Sequence, residues 1–259
     1  MKLIKAFSLV MLLTTIVSCK QEDKEVKPKP EKKQPMEKVT TEKPSESLQS
    51  ILDKRKENFS KKADDYTKKI YKEGLEAVAN SGITKSAKQV GDVAPDFMLK
   101  NATGASVSLK DYLAEGPVVL TWYRGGWCPY CNLTLQYLQK ELPNIKATGA
   151  SLLALTPELP DNSMKTAEKH ALEFEVLSDV GNKVAKDYGV VFQLTEEVAK
   201  KYNAKFNLEK YNGDTSNELP LAATYIINPD GKITYAFLDS DYRNRAEPKE
   251  ILEKLKELK

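Results

Sequence analysis

Residues 117–135 read PVVLTWYRGGWCPYCNLTL, and this stretch decides the fold. Pro117 to Tyr123 is a compact apolar run rich in β-branched and aromatic side chains, the composition of a central buried strand. Pro129 suits the first position of a helix, where a missing N–H and a fixed φ carry no penalty. Leu135, Leu138 and Leu142 then recur on one face of that helix. The chain therefore passes from a buried strand through a tight loop into an amphipathic helix, and the loop-to-helix junction is Trp127-Cys128-Pro129-Tyr130-Cys131.

The flanking sequence repeats the alternation. Downstream, Ser151 to Leu155 and Glu175 to Ser178 read as strands, and Ser163 to Leu172 and Val180 to Tyr188 as helices. Thr224 to Asn228 and Ile233 to Leu238 are two strands joined by Asn228-Pro229-Asp230-Gly231, a strong turn signal. Pro248 opens a last helix with Ile251, Leu252, Leu255 and Leu258 on its inner face. Upstream, VGDVAPDFMLKNATGASVSLKDY (90–112) reads as short extended pieces with a hairpin at Thr103-Gly104. Two helices precede it. Leu48, Ile51, Leu52 and Phe59 share one face, and Tyr66, Ile70, Leu75 and Val78 another, with a stop near Asn80-Ser81-Gly82. They form either a prelude packed on the main domain or an interaction arm. Strands alternating with helices and closing on a hairpin predict an α/β fold with a central mixed sheet flanked by helices, preceded by a helical N-terminal extension.

The first 46 residues differ in kind. Lys2 and Lys5 precede a short apolar run, Ala6 to Val17, which ends in Ser18-Cys19. That run is shorter than the roughly 20 apolar residues of a bilayer span, and it reads as an export signal. It resembles a bacterial lipoprotein signal, which implies cleavage before Cys19, lipidation of that residue and a firm hold on a membrane. Residues 20–45 hold four prolines and dense mixed charge with almost nothing to bury, the composition of a disordered tether. The expected organisation is a signal over 1–18, a tether over 19–46, a helical prelude over 47–89 and the main domain over 90–259. The expected location is the bacterial cell envelope, lipid-anchored on the periplasmic or outer-membrane side. The 40 basic and 37 acidic residues are spread along the chain and leave a net charge of only +3, which argues against a nucleic-acid partner.

Three cysteines, at 19, 128 and 131, are too few for a disulfide framework. Cys128 and Cys131 are spaced i, i+3 at the head of a helix, so their sulfurs lie on one side. The unpaired amides and dipole of the helix N-terminus favour an anion at Cys128. Such placement lowers a thiol pKa from about 8.5 into a range of roughly 3.5–7.5. Cys131, one turn further in, is the more buried, resolving thiol, and Arg124 adds positive potential. A zinc site wants four ligands, and only His170, read as an exposed residue on a polar helix, and Cys19 remain to supply nitrogen or sulfur. No metal and no organic cofactor is called for.

The runs VGDVAPDF, TWYRGGWCPYCNLTL, LSDVGNKVAKDYGV and LPLAATYIINPDGKI, with the ending DSDYRNRAEPKEILEKL, are together similar to peroxiredoxin-like members of the alkyl hydroperoxide reductase/thiol-specific antioxidant family. The resemblance extends over roughly residues 47–258. It implies a thioredoxin-like fold, with Cys128 as the peroxidatic cysteine and Cys131 as the resolving one. It also implies reduction of hydroperoxides at the expense of a thioredoxin-like donor. The chain departs from the family pattern at three places. Thr121 stands where a proline is usual, Gly125 where a threonine or serine is usual, and Ala222 where an arginine is usual. The tryptophan before the motif is like that of thioredoxins, the CPYC tetrad like that of glutaredoxins. Membrane-anchored thiol–disulfide reductases share the ATYIINPDGKI type of ending, usually with a cis-proline at the place of Ala222, two residues after Pro220. Three readings follow: a thiol peroxidase, a membrane-anchored thiol–disulfide oxidoreductase acting on protein or small-molecule disulfides, and a non-catalytic redox-sensing or binding module.

Overall fold

A computed structural model describes residues 46–258. The expected signal over 1–18, Cys19 and residues 20–45 of the expected tether lie outside the described residues. The chain begins with three helices, α1 (Leu48–Lys62), α2 (Asp65–Asn80) and α3 (Ile83–Ser86). The hairpin β1 (Met98–Asn101) and β2 (Ser106–Ser108) follows, then α4 (Leu109–Glu115) and β3 (Val118–Trp122). Next come α5 (Pro129–Ala147), β4 (Ser151–Thr156), α6 (Pro160–Lys169), β5 (Glu175–Ser178) and α7 (Lys183–Asp187). A segment of β6 (Val191–Gln193), α8 (Glu196–Phe206), α9 (Leu208–Asn212) and β7 (Glu218–Pro220) precedes the closing β8 (Thr224–Ile227), β9 (Ile233–Phe237) and α10 (Pro248–Glu257).

Seven strands form one sheet in the order β2-β1-β5-β4-β3-β8-β9, and β6 pairs with β7 apart from it. β3, β4 and β5 run parallel, whereas β1, β8 and β9 pair antiparallel, so the sheet is mixed as expected. The period-2 alternation of side chains divides the core between the two faces. In β3, Val118, Leu120 and Trp122 join one buried cluster, and Val119 and the following Tyr123 join the other. β4 does the same, with Leu153 and Leu155 against Leu152 and Ala154. A central strand apolar on both faces is what places its C-terminal end, and the loop that follows, over a fully packed floor.

Helix bounds differ from the sequence reading in two places. α6 starts at Pro160 rather than Ser163, because Pro160 takes the first helical position, and α7 is confined to Lys183–Asp187 after the left-handed Asn182. The segment from Val191 to Pro220 carries structure the sequence reading did not assign.

The prelude is packed, not free. Leu48 and Leu52 of α1 are buried with Leu135, Leu138 and Leu142 of α5 and Ile251 and Leu255 of α10. Its N-terminus is held from afar: Glu247, which precedes α10, accepts the backbone N–H groups of Leu48 (3.3 Å) and Gln49 (2.6 Å). A carboxylate on the orphan amides of a helix start is favourable both as a hydrogen-bond acceptor and through the dipole. Truncating it in Glu247→Ala should destabilise the protein by about 1 kcal/mol, and Leu52→Ala by roughly 2–5 kcal/mol, in urea unfolding. Values near zero for both would mean that α1 is not docked in solution.

Candidate active site

The loop between β3 and α5 is fixed from three sides. Tyr123 donates its N–H to the Leu155 carbonyl (2.9 Å), Gly126 donates its N–H to Glu158 Oε1 (2.7 Å), and Asn132 Nδ2 donates back to the Gly126 carbonyl (2.9 Å). Gly125 has φ 147, a conformation side chains rarely adopt, and a Cβ there would fall 2.2 Å from Trp127 Nε1. The indole cannot yield, since its ring is packed against Tyr202 (5.2 Å between centroids) and stacked on Phe206 (5.0 Å). A threonine or serine at this position is therefore excluded by the way Trp127 is seated. At Gly126 a Cβ would fall 2.1 Å from Thr166 Oγ1 of α6, so this glycine permits close approach of a helix.

Cys128 is the N-cap of α5 and Pro129 its first residue, as expected. Both thiols are unbonded and almost wholly buried, at 1% and 0% exposure. Each faces a guanidinium. Arg124 Nη1 approaches Cys128 Sγ at 4.0 Å, and Arg245 Nη2 donates to Cys131 Sγ at 3.4 Å. Arg124 is itself 1% exposed, donates from Nη2 to Tyr202 Oη (2.8 Å) and lies 3.9 Å from the centre of the Tyr242 ring. Among the described residues neither arginine has a carboxylate partner.

Burial opposes ionisation of Cys128. A hydrogen bond from Cys131 and the charges of Arg124 and Arg245 outweigh it and bring the thiol down to about 5. Cys131 moves the other way. Burial, its hydrogen bond to Cys128 and the Cys128 charge hold it well above the ordinary thiol value. The pair thus divides into a thiolate and a neutral thiol in hydrogen-bond reach of each other. A nucleophile and a second sulfur poised to displace whatever the first acquires is the chemistry this geometry permits.

Glu158 lies behind the loop. Burial pushes its carboxyl up to about 7, against the stabilising hydrogen bonds from Gly126 and Tyr123, and negative charge on Cys131 would push it further. It is a buried acid able to exchange a proton near neutrality on the Cys131 side of the motif.

The structure brings together all three expected site residues, Arg124, Cys128 and Cys131. It adds Arg245, Tyr202, Tyr242 and Glu158, which sequence reasoning missed. Tyr202 carried a legible signal: Leu194, Val198, Tyr202 and Phe206 recur every four residues behind Thr195-Glu196-Glu197, a helix start. Arg245 and Glu158 sit in loops and had none. Ala222 is buried and brings no charge; Arg124 and Arg245 supply guanidinium from other elements. Thr121 bonds to the Thr224 hydroxyl (2.8 Å) and the Ala223 carbonyl (3.2 Å) within the sheet, so it serves strand pairing. Pro220 lies in β7 opposite Val191, and none of the described peptide bonds is cis. His170 is half-buried at the end of α6 rather than exposed, with Nδ1 3.0 Å from Gln136 Nε2, and it does not line the cavity above Cys128.

Comparison with known proteins agrees with this geometry. The profile of the AhpC/TSA family matches residues 90–236, more than half of the chain. The chain belongs to the AhpC/TSA family. Similar curated proteins include the chloroplastic peroxiredoxin Q of Triticum aestivum, 29% identical over 69% of this chain and 70% of that one. The peroxiredoxin Bcp of Escherichia coli is 26% identical over 58% and 86%. The thiol-disulfide oxidoreductase ResA of Bacillus thuringiensis is also 26% identical, over 58% and 70%. Among solved structures, the peroxidoxin BcpB of Mycobacterium tuberculosis covers 66% of this chain and 98% of its own at a TM-score of 0.53 and 22% identity. The fold is accordingly thioredoxin-like, as in the peroxiredoxins, with the prelude helices added before the family domain.

Two outcomes test the electrostatics. In Arg124→Met the pH at which Cys128 ionises, followed by ultraviolet thiolate absorbance, should rise from about 5 by roughly one to three pH units. An unmoved midpoint would assign the ionisation to the helix end and Cys131 alone. For Glu158, the folded carboxyl keeps its proton to about 7 while the unfolded one releases it near 4.5, so the protein loses stability as pH rises between those values. Glu158→Gln keeps an acceptor for Gly126 but cannot ionise. Its stability relative to the unmodified protein should grow across that window, by as much as about 3 kcal/mol, in thermal unfolding at a series of pH values. A pH-independent difference would place the carboxylate in a solvated environment.

Proposed function

We propose that this chain is a thiol peroxidase that reduces hydroperoxides through Cys128. One observation carries the reading: Cys128 is a thiolate at the head of α5, lining a cavity of about 600 Å³, with the Arg124 guanidinium beside its sulfur. The thiolate attacks the outer oxygen of ROOH and breaks the O–O bond. It becomes a sulfenate as RO⁻ departs, and water protonates both to Cys128–SOH and ROH. The guanidinium stabilises the negative charge that moves onto oxygen in that step, and its fixed place between Tyr202 and Tyr242 leaves nothing to reorganise. Cys131, which keeps its proton until then, attacks the sulfenic sulfur. An S–S bond forms, water leaves, and Glu158 is placed to accept the thiol proton. A thioredoxin-like dithiol, by two exchange steps, restores both thiols. Membership of the AhpC/TSA family and similarity to peroxiredoxin Q and Bcp support this reading.

A second reading, thiol–disulfide exchange with other proteins, is supported by the CPYC motif and by the similarity to ResA. We place either activity in the cell envelope, on the strength of the signal-like residues 1–18 and Cys19, with the polar segment that follows letting the domain reach soluble partners.

Stopped-flow oxidation of the reduced protein by hydrogen peroxide and cumene hydroperoxide, followed by tryptophan fluorescence, decides between them. Fast oxidation that needs Cys128, ends in a Cys128–Cys131 disulfide, and rises with pH through about 5 to a plateau is expected. The sign follows from the depressed pKa: the reactive thiolate is lost only as pH falls through it. Oxidation no faster than that of a free thiol, beside rapid exchange with disulfides, would establish the second reading instead.

A further inference from the structure

The cavity over Cys128 is walled by a helix that the family match does not include. α1 contributes Ile51, Lys54, Arg55, Asn58, Phe59 and Lys62 to its lining, a single stripe at helical spacing that runs roughly 16 Å along the helix. The family profile begins only at residue 90. The floor and far wall are apolar, formed by Phe59, Tyr71, Trp127, Leu133 and Phe206. Charge around the cavity has one sign: every charged side chain that lines it is basic, namely Lys54, Arg55, Lys62, Lys205 and Arg124.

This is not a consequence of a uniformly basic helix. α1 carries Asp53 and Glu57, but both lie on the side away from the cavity, where Glu57 pairs with Lys61 (2.6 Å). Lys56, also on that side, pairs with Asp241 (3.6 Å). Of the lining cations, Lys54 pairs with Glu46. Among the described residues Arg55, Lys62 and Lys205 have no carboxylate partner and instead lie near aromatic rings or solvent, Arg55 being 5.7 Å from the Tyr130 ring and Lys205 5.2 Å from that of Phe206. An apolar trough with a cationic rim leaves a ligand of complementary form, apolar in the body and anionic at one end.

We infer that α1 makes this site selective for long-chain carboxylic acids bearing the hydroperoxide, the acyl chain lying on the Phe59–Phe206 surface and the carboxylate meeting the unpaired cations of the rim. The inference rests on the peroxidase reading for the reaction, which turns the hydroperoxy acid into the hydroxy acid while Cys128 takes up the oxygen. It does not rest on that reading for binding.

The test compares linoleic acid hydroperoxide with its methyl ester in the stopped-flow assay, at low and high salt, for the unmodified protein and for Arg55→Gln/Lys62→Gln. The acid should react roughly two- to tenfold faster than the ester at low salt, the range that one or two solvated charge pairs supply. The preference should shrink with salt and in the double variant. Dodecanoate, which carries no peroxide, should quench tryptophan fluorescence saturably, and more weakly in the double variant. Equal rates for acid and ester, or a preference that survives in the double variant, would overturn the inference while leaving the peroxidase reading intact. Saturable, charge-dependent binding of dodecanoate without fast reaction of any hydroperoxide would uphold the site and sink the peroxidase reading. Absence of saturable dodecanoate binding would overturn the inference whatever the reaction shows.

Discussion

Two buried guanidiniums face two buried thiols without a carboxylate among the described residues to neutralise them, and much of the structure is arranged around that imbalance. An uncompensated charge in the interior is expensive. The protein offsets it with what the neighbourhood offers: the Tyr202 hydroxyl and the face of Tyr242 for Arg124, and the Asn244 carbonyl (2.8 Å) for Arg245. None of these is an anion. The anion is Cys128, whose low pKa is the same free energy counted from the other partner. Arginine stays buried because the thiolate is there, and the thiol stays ionised because arginine is.

That arrangement explains why this chain can dispense with the residues usual in its family. A hydroxyl before the reactive cysteine needs a side chain at 125, and the indole of Trp127 occupies the volume where it would begin. The same indole forms part of the aromatic wall that holds Arg124 and closes one side of the cavity. Losing the hydroxyl and gaining the wall are one change. Arg124, four residues before Cys128 in the loop, then does from within the motif what an arginine at 222 would do from across the sheet.

What was legible in the sequence follows the range of the interactions. The strand at 117–123, the helix at 129, the turn at 228–231 and the paired cysteines are local patterns, and each was placed correctly. The mixed sheet followed from their order. α8 was legible but unread, since its four-residue spacing of Leu194, Val198, Tyr202 and Phe206 is broken up by lysines and asparagines that made the segment look like a loop. Arg245 and Glu158 were not legible at all. Each acts on the motif from a distant loop, and nothing in DYRNRAEP or TPEL distinguishes a buried charge from a solvated one. The docking of the prelude belongs to the same class, because the Glu247 carboxylate that caps α1 is about two hundred residues away in the chain.

That remote cap ties specificity to stability. α1 walls the cavity only while Glu247 holds its first turn and Leu48 and Leu52 remain packed on α5, the helix whose N-terminus carries Cys128. α10 begins one residue after Glu247 and packs on α5 as well, and Arg245, two residues before it, holds Cys131. A single short stretch, Arg245 to Pro248, therefore fixes the resolving thiol, the start of the last helix and the helix that shapes the substrate cavity. When Cys128 and Cys131 join as a disulfide, Arg124 and Arg245 lose their anion together, so the reduced state is the one this stretch is built to favour. Stabilising the thiolate makes the disulfide easier to reduce, and the two arginines that prepare the first step of the cycle thereby also drive its last.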